Sequence, residues 1–142
     1  MPLPANENDL RILNALYLRP GLSRGDLAEY LNLDKSTVSY IVTDLIKMGI
    51  IRPFAEGNAG KKGGRKPIFL ELNKEYGCVI GIELQPEEAT VVTINMKGET
   101  IQSYSETITL GRNNLYSEVL RLIKQAREKL SPFHIPVIGV GL

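Results

Sequence analysis

The chain has 142 residues, which allows one ordinary domain or two small ones, and its 17 basic and 16 acidic side chains leave a formal net charge of +1. The composition is that of a soluble globular protein, with neither the roughly 20 apolar residues in a row that a membrane span requires nor the start of a signal peptide. A single cysteine excludes an internal disulfide, and we expect a cytoplasmic protein that makes no membrane contact.

The first fifty residues predict three short helices. Residues 8–19 repeat apolar side chains at helical spacing: Leu10, Leu13, Leu16 and Tyr17. Ser23 is a good N-cap for a second helix, with Asp26 three residues later in the position of a capping box. Asp34 can cap a third helix, which Gly49 closes. Three helices of this size, the last two joined by a tight turn, indicate a helix-turn-helix.

Two strand-like segments follow the third helix. Residues 50–54 and 68–72 are mostly apolar, and the stretch between them is rich in glycine and lysine. This order predicts a β-hairpin with a long tip, which is the wing of a winged helix when it follows three helices. Turn-forming residues fill positions 73–77. We therefore expect a winged-helix domain over residues 1–75 and a second domain over residues 76–142.

The third helix has the composition of a DNA recognition helix. The major groove of B-DNA admits one α-helix, whose first turns need small or hydrogen-bonding side chains to approach base edges. Val38 should face the core, which leaves polar residues to face outward. The predicted contacts with DNA in this helix are Lys35, Ser36, Thr37, Ser39, Tyr40 and Thr43. A solvated helix face without a partner is the alternative that these residue types leave open.

Contacts with DNA phosphates are predicted in two further places. Ser23 and Arg24 open the second helix, where they could touch the DNA backbone. The hairpin tip carries cations among glycines: Lys61, Lys62, Arg65 and Lys66. Glycine lets the backbone run close to a surface, and arginine is attracted to a narrow A·T-rich minor groove. We expect binding to double-stranded DNA that weakens steeply with salt; without DNA, the tip is expected to be a solvated loop.

The second half of the chain has a different pattern. Residues 78–84, 89–95 and 99–107 predict strands, and residues 113–130 predict an amphipathic helix. Residues 136–142 predict an apolar strand that would be buried on both faces inside a sheet. The order is βββαβ, and the fold class of the whole chain is α+β. Because the chain stops on a strand, we expect a truncated coding region or a fragment.

Three segments carry a family resemblance: residues 33–39 (LDKSTVS), 63–73 (GGRKPIFLELN) and 76–83 (YGCVIGIE). In this order and spacing they resemble the ROK family (repressors, open reading frames and kinases), especially its xylose-repressor branch. The resemblance implies a winged helix followed by the truncated start of an actin-like ATPase domain. It also implies a homodimeric repressor that a sugar effector, xylose being our best estimate, releases from a palindromic operator. The family's catalytic, sugar-contacting and zinc-binding residues would lie beyond Leu142.

One segment departs from the kinases of this family. ROK kinases have an Asp-x-Gly-Gly-Thr phosphate loop after the first strand, and the matching stretch here is residues 83–88 (ELQPEE). It lacks the glycines that let backbone amides surround a phosphate, and Pro86 has no N–H. Glu87 and Glu88 add negative charge where a polyphosphate would bind. We therefore expect no ATP binding, no cofactor, no metal site and no catalytic residue, and hence no enzyme.

Three alternatives remain open from the sequence. The first is a ROK-family sugar kinase, which a sugar-dependent ATP turnover would reveal. The second is a winged helix that binds a protein, which salt-insensitive or absent DNA binding would favour. The third is a truncated regulator without an effector response. Outside these alternatives, Cys78 is expected to be a buried strand thiol, and His134 an ordinary surface residue.

Overall fold

The computed structural model describes residues 6–57, 66–111 and 114–142. The chain divides into two compact units, Met1–Asn73 and Lys74–Leu142. The division falls after residue 73, whereas the sequence predicted a domain boundary after residue 75. Among the described residues, none of the helices combines the length and the apolar character needed to cross a bilayer.

The described part of the first unit consists of three helices and a three-stranded antiparallel sheet. The elements are α1 (Glu7–Leu18), β1 (Leu22–Ser23), α2 (Arg24–Leu31), α3 (Lys35–Lys47), β2 (Ile51–Glu56) and β3 (Ile68–Leu72). The sheet has the order β1-β3-β2. The hairpin of β2 and β3 follows the three helices as predicted, whereas β1 has only two residues and is too short to produce a periodic signal. The unit is a winged helix-turn-helix.

A capping box begins α2, as predicted. The Asp26 N–H donates to Ser23 Oγ, and the Ser23 N–H donates to the Asp26 carboxylate at 2.8 Å. Asp34 does occupy the N-cap position of α3, but its side chain makes no capping hydrogen bond. The predicted position of Asp34 at the N-cap is therefore confirmed, but the capping hydrogen bond expected from its side chain is absent. Thr37 stands where a capping box needs a carboxylate or an amide, so the reciprocal bond cannot form.

The end of α3 also follows the prediction. Gly49 comes directly after the C-cap residue with a φ of 78°, a left-handed conformation that favours glycine. Its N–H donates to the carbonyl of Ile46, and the Ile50 N–H donates to the carbonyl of Leu45. These two bonds form a Schellman motif, and Ile50 and Leu45 are both buried, as the motif commonly requires.

The core of the first unit lies between the helices and the sheet. Its fully buried large side chains are Ile12, Leu16, Leu27, Val38, Val42, Leu45, Ile50, Ile51 and Leu70. The sequence predicted α1 from Leu10 and Tyr17 among others, but both are more than half exposed. The prediction of α1 is confirmed, but Leu10 and Tyr17 do not belong to its buried face. Leucine, isoleucine and tyrosine occur around most of α1, so helical spacing alone does not show which of them are buried. Leu16 was among the predicted residues and is buried, whereas Ile12 is buried and was not among them.

The described part of the second unit is a four-stranded sheet with a helix packed on it. The elements are β4 (Cys78–Leu84), β5 (Glu88–Asn95), β6 (Thr100–Thr107), α4 (Leu115–Leu130), a 3₁₀ turn (Ser131–Phe133) and β7 (Val137–Gly141). The sheet order is β6-β5-β4-β7, with β7 parallel to β4 and the other pairs antiparallel. The predicted order βββαβ is confirmed, and the whole chain is α+β. Core side chains of α4 are Leu122, Ala126 and Leu130.

The last strand differs from its prediction. The sequence predicted burial on both faces on the condition that β7 lies inside a sheet, and within the part of the chain that the structure describes the strand lies at an edge and pairs with β4 alone. Its residues are half-buried or exposed. An apolar run of five residues does not distinguish a central from an edge strand, because that choice depends on which strands pair with it.

Candidate nucleic-acid interface

The predicted DNA-facing side of α3 is exposed to solvent. Tyr40 is 71% exposed, and Lys35 and Ser36 are exposed as well. Val38 is fully buried on the opposite side, as predicted. Because the Asp34 side chain makes no capping bond, it does not compete for the N–H groups of the first turn of α3. The first turns of α3 therefore offer exposed polar side chains and helix N-terminal donors.

A second group of predicted residues is tied together across α2 and α3. The Nη1 atom of Arg24 lies 3.2 Å from the carbonyl oxygen of Ser39, 3.2 Å from Ser39 Oγ and 3.2 Å from Thr43 Oγ1. The Thr43 hydroxyl donates to the Ser39 carbonyl at 2.7 Å. Arg24, Ser39 and Thr43 were each predicted to contact DNA, and the fold brings them into contact with one another. All three are half-buried.

A groove of about 430 Å³ lies between the start of α2, the middle of α3 and the segment that leads into β3. Its lining residues are Ser23, Arg24, Gly25, Ser39, Lys66, Pro67 and Ile68. Four of them were predicted from the sequence, and Lys66 among these is exposed. Ser23 is only 7% exposed, and its hydroxyl donates to the Asp26 carboxylate at 2.7 Å. A phosphate contact by that hydroxyl would have to replace the capping interaction.

The other residues predicted to contact DNA are Thr37 and three cations of the hairpin tip. Thr37 is half-buried in the first turn of α3. Lys61, Lys62 and Arg65 lie outside the described residues. Sequence reasoning did not single out Gly25, Pro67 or Ile68, which line the groove. No local pattern marks them, because the groove forms only when β3 packs beside β1, which immediately precedes α2.

Comparison with known proteins agrees with this geometry. Residues 6–52 match the family model described as winged helix-turn-helix DNA-binding. The chain is 39% identical over 79 residues to the xylose repressor of Staphylococcus xylosus, covering 56% of this chain and 21% of that protein. It is 36% identical over 107 residues to the xylose repressor of Lactiplantibacillus pentosus, covering 75% and 27%.

A solved ROK-family transcriptional regulator, described as a homologue of the E. coli MLC protein, superposes with a TM-score of 0.72. The match covers 94% of this chain and 34% of that one at 18% identity, so it supports the fold alone. The chain is similar in sequence to curated xylose repressors, and its fold is that of this ROK-family regulator. It spans about a third or less of the length of the curated relatives it matches.

The turn that corresponds to the ROK kinase phosphate loop joins β4 to β5. The Gln85 N–H donates to the Glu88 carbonyl at 2.8 Å, and the carbonyls of Pro86 and Glu87 accept from the backbone after β6. The turn is therefore held by one backbone bond of its own and two from the segment after β6, and the side chains of Glu87 and Glu88 are exposed. A polyphosphate would meet two negative charges here and few N–H donors.

Cys78 and His134 are two further side chains whose chemistry could be functional. Cys78 is fully buried in β4, and burial raises the pKa of its thiol, which makes the thiolate scarcer. His134 is exposed, and its Nδ1 lies 3.1 Å from the carbonyl of Pro132. Across residues 6–57, 66–111 and 114–142, no three His, Cys, Asp or Glu side chains are grouped so that they could hold a metal ion.

Proposed function

We propose that this chain provides the DNA-binding part of a ROK-family transcriptional repressor that recognises double-stranded operator DNA. The observation that carries the proposal is the exposed polar face at the start of α3, which lies on a winged helix-turn-helix scaffold next to a groove containing Arg24 and Lys66. A helix with this surface fits the major groove of B-DNA.

The proposed contacts divide into two kinds. Side chains at the start of α3 contact base edges, and Tyr40, which is 71% exposed, is the aromatic residue among them. Lys66, together with Lys61, Lys62 and Arg65 of the hairpin tip, contacts phosphates or the minor groove. Ser23 and Arg24 were predicted as phosphate contacts from the sequence, but the hydrogen bonds they make in the folded chain compete with that role.

The assembly and its effector are proposed from the relatives. Two similar proteins are xylose repressors, which supports regulation of carbohydrate genes, and xylose in particular, by release of operator DNA on sugar binding. In this proposal residues 1–75 bind DNA, and residues 76–142 form the start of the sugar-sensing domain. Helix-turn-helix dimers bind pseudo-palindromic operators, so a homodimer is the expected binding form, and a single module should bind weakly.

An enzymatic role is not proposed. The turn between β4 and β5 has two exposed glutamates and a proline where ROK kinases have a glycine-rich phosphate loop. The exposed face of α3 has no use in sugar phosphorylation. A sugar-dependent ATP turnover by the purified chain would contradict this part of the proposal.

The test begins with selection of a duplex by the chain from a pool with a random core of about 20 bp, which is two helical turns. Fluorescence anisotropy then gives the Kd for the selected duplex and for a scrambled version, from about 50 to 200 mM salt. Lys66→Ala should weaken both complexes and lower the salt slope by about one, whereas Lys74→Ala, which removes an exposed lysine from the second unit, should not.

Two results would contradict DNA recognition. One is equal affinity for the selected and scrambled duplexes, and the other is binding that does not change with salt. A chain that binds the selected duplex and does not respond to xylose would support the DNA-binding part of the proposal and reject an effector response in this chain.

A further inference from the structure

One guanidinium group joins the two helices of the helix-turn-helix. Arg24 is the first residue of α2, and its Nη1 atom reaches acceptors 15 and 19 residues later in α3. The acceptors are the Ser39 carbonyl and the hydroxyls of Ser39 and Thr43, each at 3.2 Å. These acceptors are neutral, so the contact orients α3 without neutralising the positive charge of Arg24.

The hydroxyl groups in this cluster are directed toward Arg24 and the α3 backbone. Thr43 Oγ1 donates to the Ser39 carbonyl at 2.7 Å, and both hydroxyls lie within hydrogen-bond distance of Arg24 Nη1. The Thr43 hydroxyl can donate to a base only if its bond to the Ser39 carbonyl breaks, whereas the Ser39 hydroxyl accepts from Arg24 and keeps its own donor. Lys35, Ser36 and Tyr40 are exposed on the same helix.

From this geometry we infer that Arg24 is a positioning residue, which fixes α3 through Ser39 and Thr43 so that Lys35, Ser36 and Tyr40 read the bases. The inference rests on the proposed function and assigns specificity within the same site. It replaces the phosphate contact that the sequence suggested for Arg24. Ser39 and Thr43 likewise serve the orientation of α3 through their contacts with Arg24.

All three contacts come from Nη1, which lies one bond farther from Cα than the Nζ atom of a lysine. Arginine presents its donors in a planar, fixed arrangement, whereas lysine has a compact charge on a flexible stem. Lysine can still neutralise a phosphate. Arg24→Lys therefore separates a positioning residue, which lysine cannot replace, from a phosphate contact, which it can.

The experiment uses the full chain, the selected duplex and its scrambled version. Arg24→Ala should weaken binding to the selected duplex by about tenfold, the size of one lost base contact, while binding to the scrambled duplex and the salt slope stay unchanged. Arg24→Lys should not restore the affinity. Lys66→Ala is the matched control, because it removes a cation from the same groove and should change the salt slope.

The opposite pattern would overturn the inference. If Arg24→Ala weakens both duplexes equally and lowers the salt slope by about one, or if Arg24→Lys restores binding, Arg24 is a phosphate contact. Thermal unfolding checks that each variant is folded. Should Arg24→Ala unfold, Thr43→Val tests the same contact by removing one acceptor at nearly constant shape. It should lower specific binding without changing the salt slope, and an unchanged specific affinity would reject the inference.

A DNA-free measurement distinguishes this inference from the proposed function. Amide hydrogen exchange in the middle of α3 should be faster in Arg24→Ala than in the unmodified chain and unchanged in Lys66→Ala. Faster exchange, combined with no DNA binding by the unmodified chain, rejects the proposed function and keeps Arg24 as the residue that fixes α3. Unchanged exchange in Arg24→Ala rejects the positioning role itself.

Discussion

Two tyrosines have similar exposure and different surroundings. Tyr40 is 71% exposed on the side of α3 that we propose faces DNA, and Tyr116 is 77% exposed on α4 of the second unit. We predict that Tyr40→Ala weakens binding to the selected duplex by about 1 to 2 kcal/mol, because it removes a large contact surface from a recognition helix. Its melting temperature should change little, since an exposed side chain contributes little to packing. Anisotropy titration and thermal unfolding measure the two quantities.

Tyr116→Ala is the matched control for Tyr40→Ala. It removes an equally exposed ring and should change neither DNA affinity nor stability. If Tyr40→Ala binds like the unmodified chain, the outer face of α3 is not the reading surface. If both variants lose affinity alike, the effect comes from a general property of the surface and not from α3.

The ion pair between Glu106 and Arg121 makes the stability of the second unit depend on pH. A hydrogen bond from Arg121 lowers the pKa of Glu106 below its usual value, so the ionised form is favoured in the folded state. Because the folded-state pKa is depressed, the resulting stability is present above the unfolded pKa of about 4.3 and is lost as the pH falls through the folded value. The pair is partly exposed, which limits its contribution to about 1 kcal/mol or less.

We therefore predict that Glu106→Gln lowers the free energy of unfolding of the second unit at pH 7 and that this loss is smaller near pH 3. Urea unfolding followed by NMR signals of β6 and α4 measures this at both pH values. Glu87→Gln, in the exposed turn between β4 and β5, is the control and should show no such difference. Equal destabilisation by Glu106→Gln at the two pH values would mean that lost packing, not charge, is responsible.

At the scale of elements, α2 and α3 begin with different chemistry. Ser23 is buried in a complete capping box, whereas Asp34 is exposed and makes no side-chain cap bond. We predict that Ser23→Ala lowers the free energy of unfolding of the first unit by about 1 kcal/mol. Asp34→Ala should cost less than about 0.5 kcal/mol, because only the interaction of its charge with the helix dipole is lost. Urea unfolding followed by NMR signals of the first unit compares the two variants, and equal losses would contradict the assignment.

The same two helix starts indicate how far the sequence could predict the elements. Ser23 and Asp26 are three residues apart, so both partners of the capping box could be read locally. Asp34 is followed at that spacing by Thr37, which has no carboxylate or amide to complete the box, so the sequence itself distinguishes the two helix starts. The edge position of β7 was not available, because the pairing of strands distant in sequence decides it.

The sequence could predict which residues form the candidate site, but not how those residues contact one another. Ser36 and Tyr40 could be placed on the outer face of α3 from helical spacing and the burial of Val38. The contact from Arg24 to Thr43 could not, because it joins residues 19 positions apart on two helices. A residue type that suits phosphate binding suits a half-buried contact between two helices equally well, and only the packing of α2 on α3 distinguishes the two.

At the scale of the whole molecule, each unit has a hydrophobic core of its own, and every described residue of the proposed DNA interface belongs to the first unit. We predict that a chain shortened to residues 1–73 folds and binds the selected duplex with a Kd within about threefold of the full chain, since domains of this size can fold alone. Its salt slope should also be unchanged, because the phosphate contacts are the same. Circular dichroism and anisotropy test folding and binding separately. A folded short chain with at least tenfold weaker binding would mean that residues 74–142 act in DNA recognition, through dimerisation or direct contact, and analytical ultracentrifugation of the two chains would identify which.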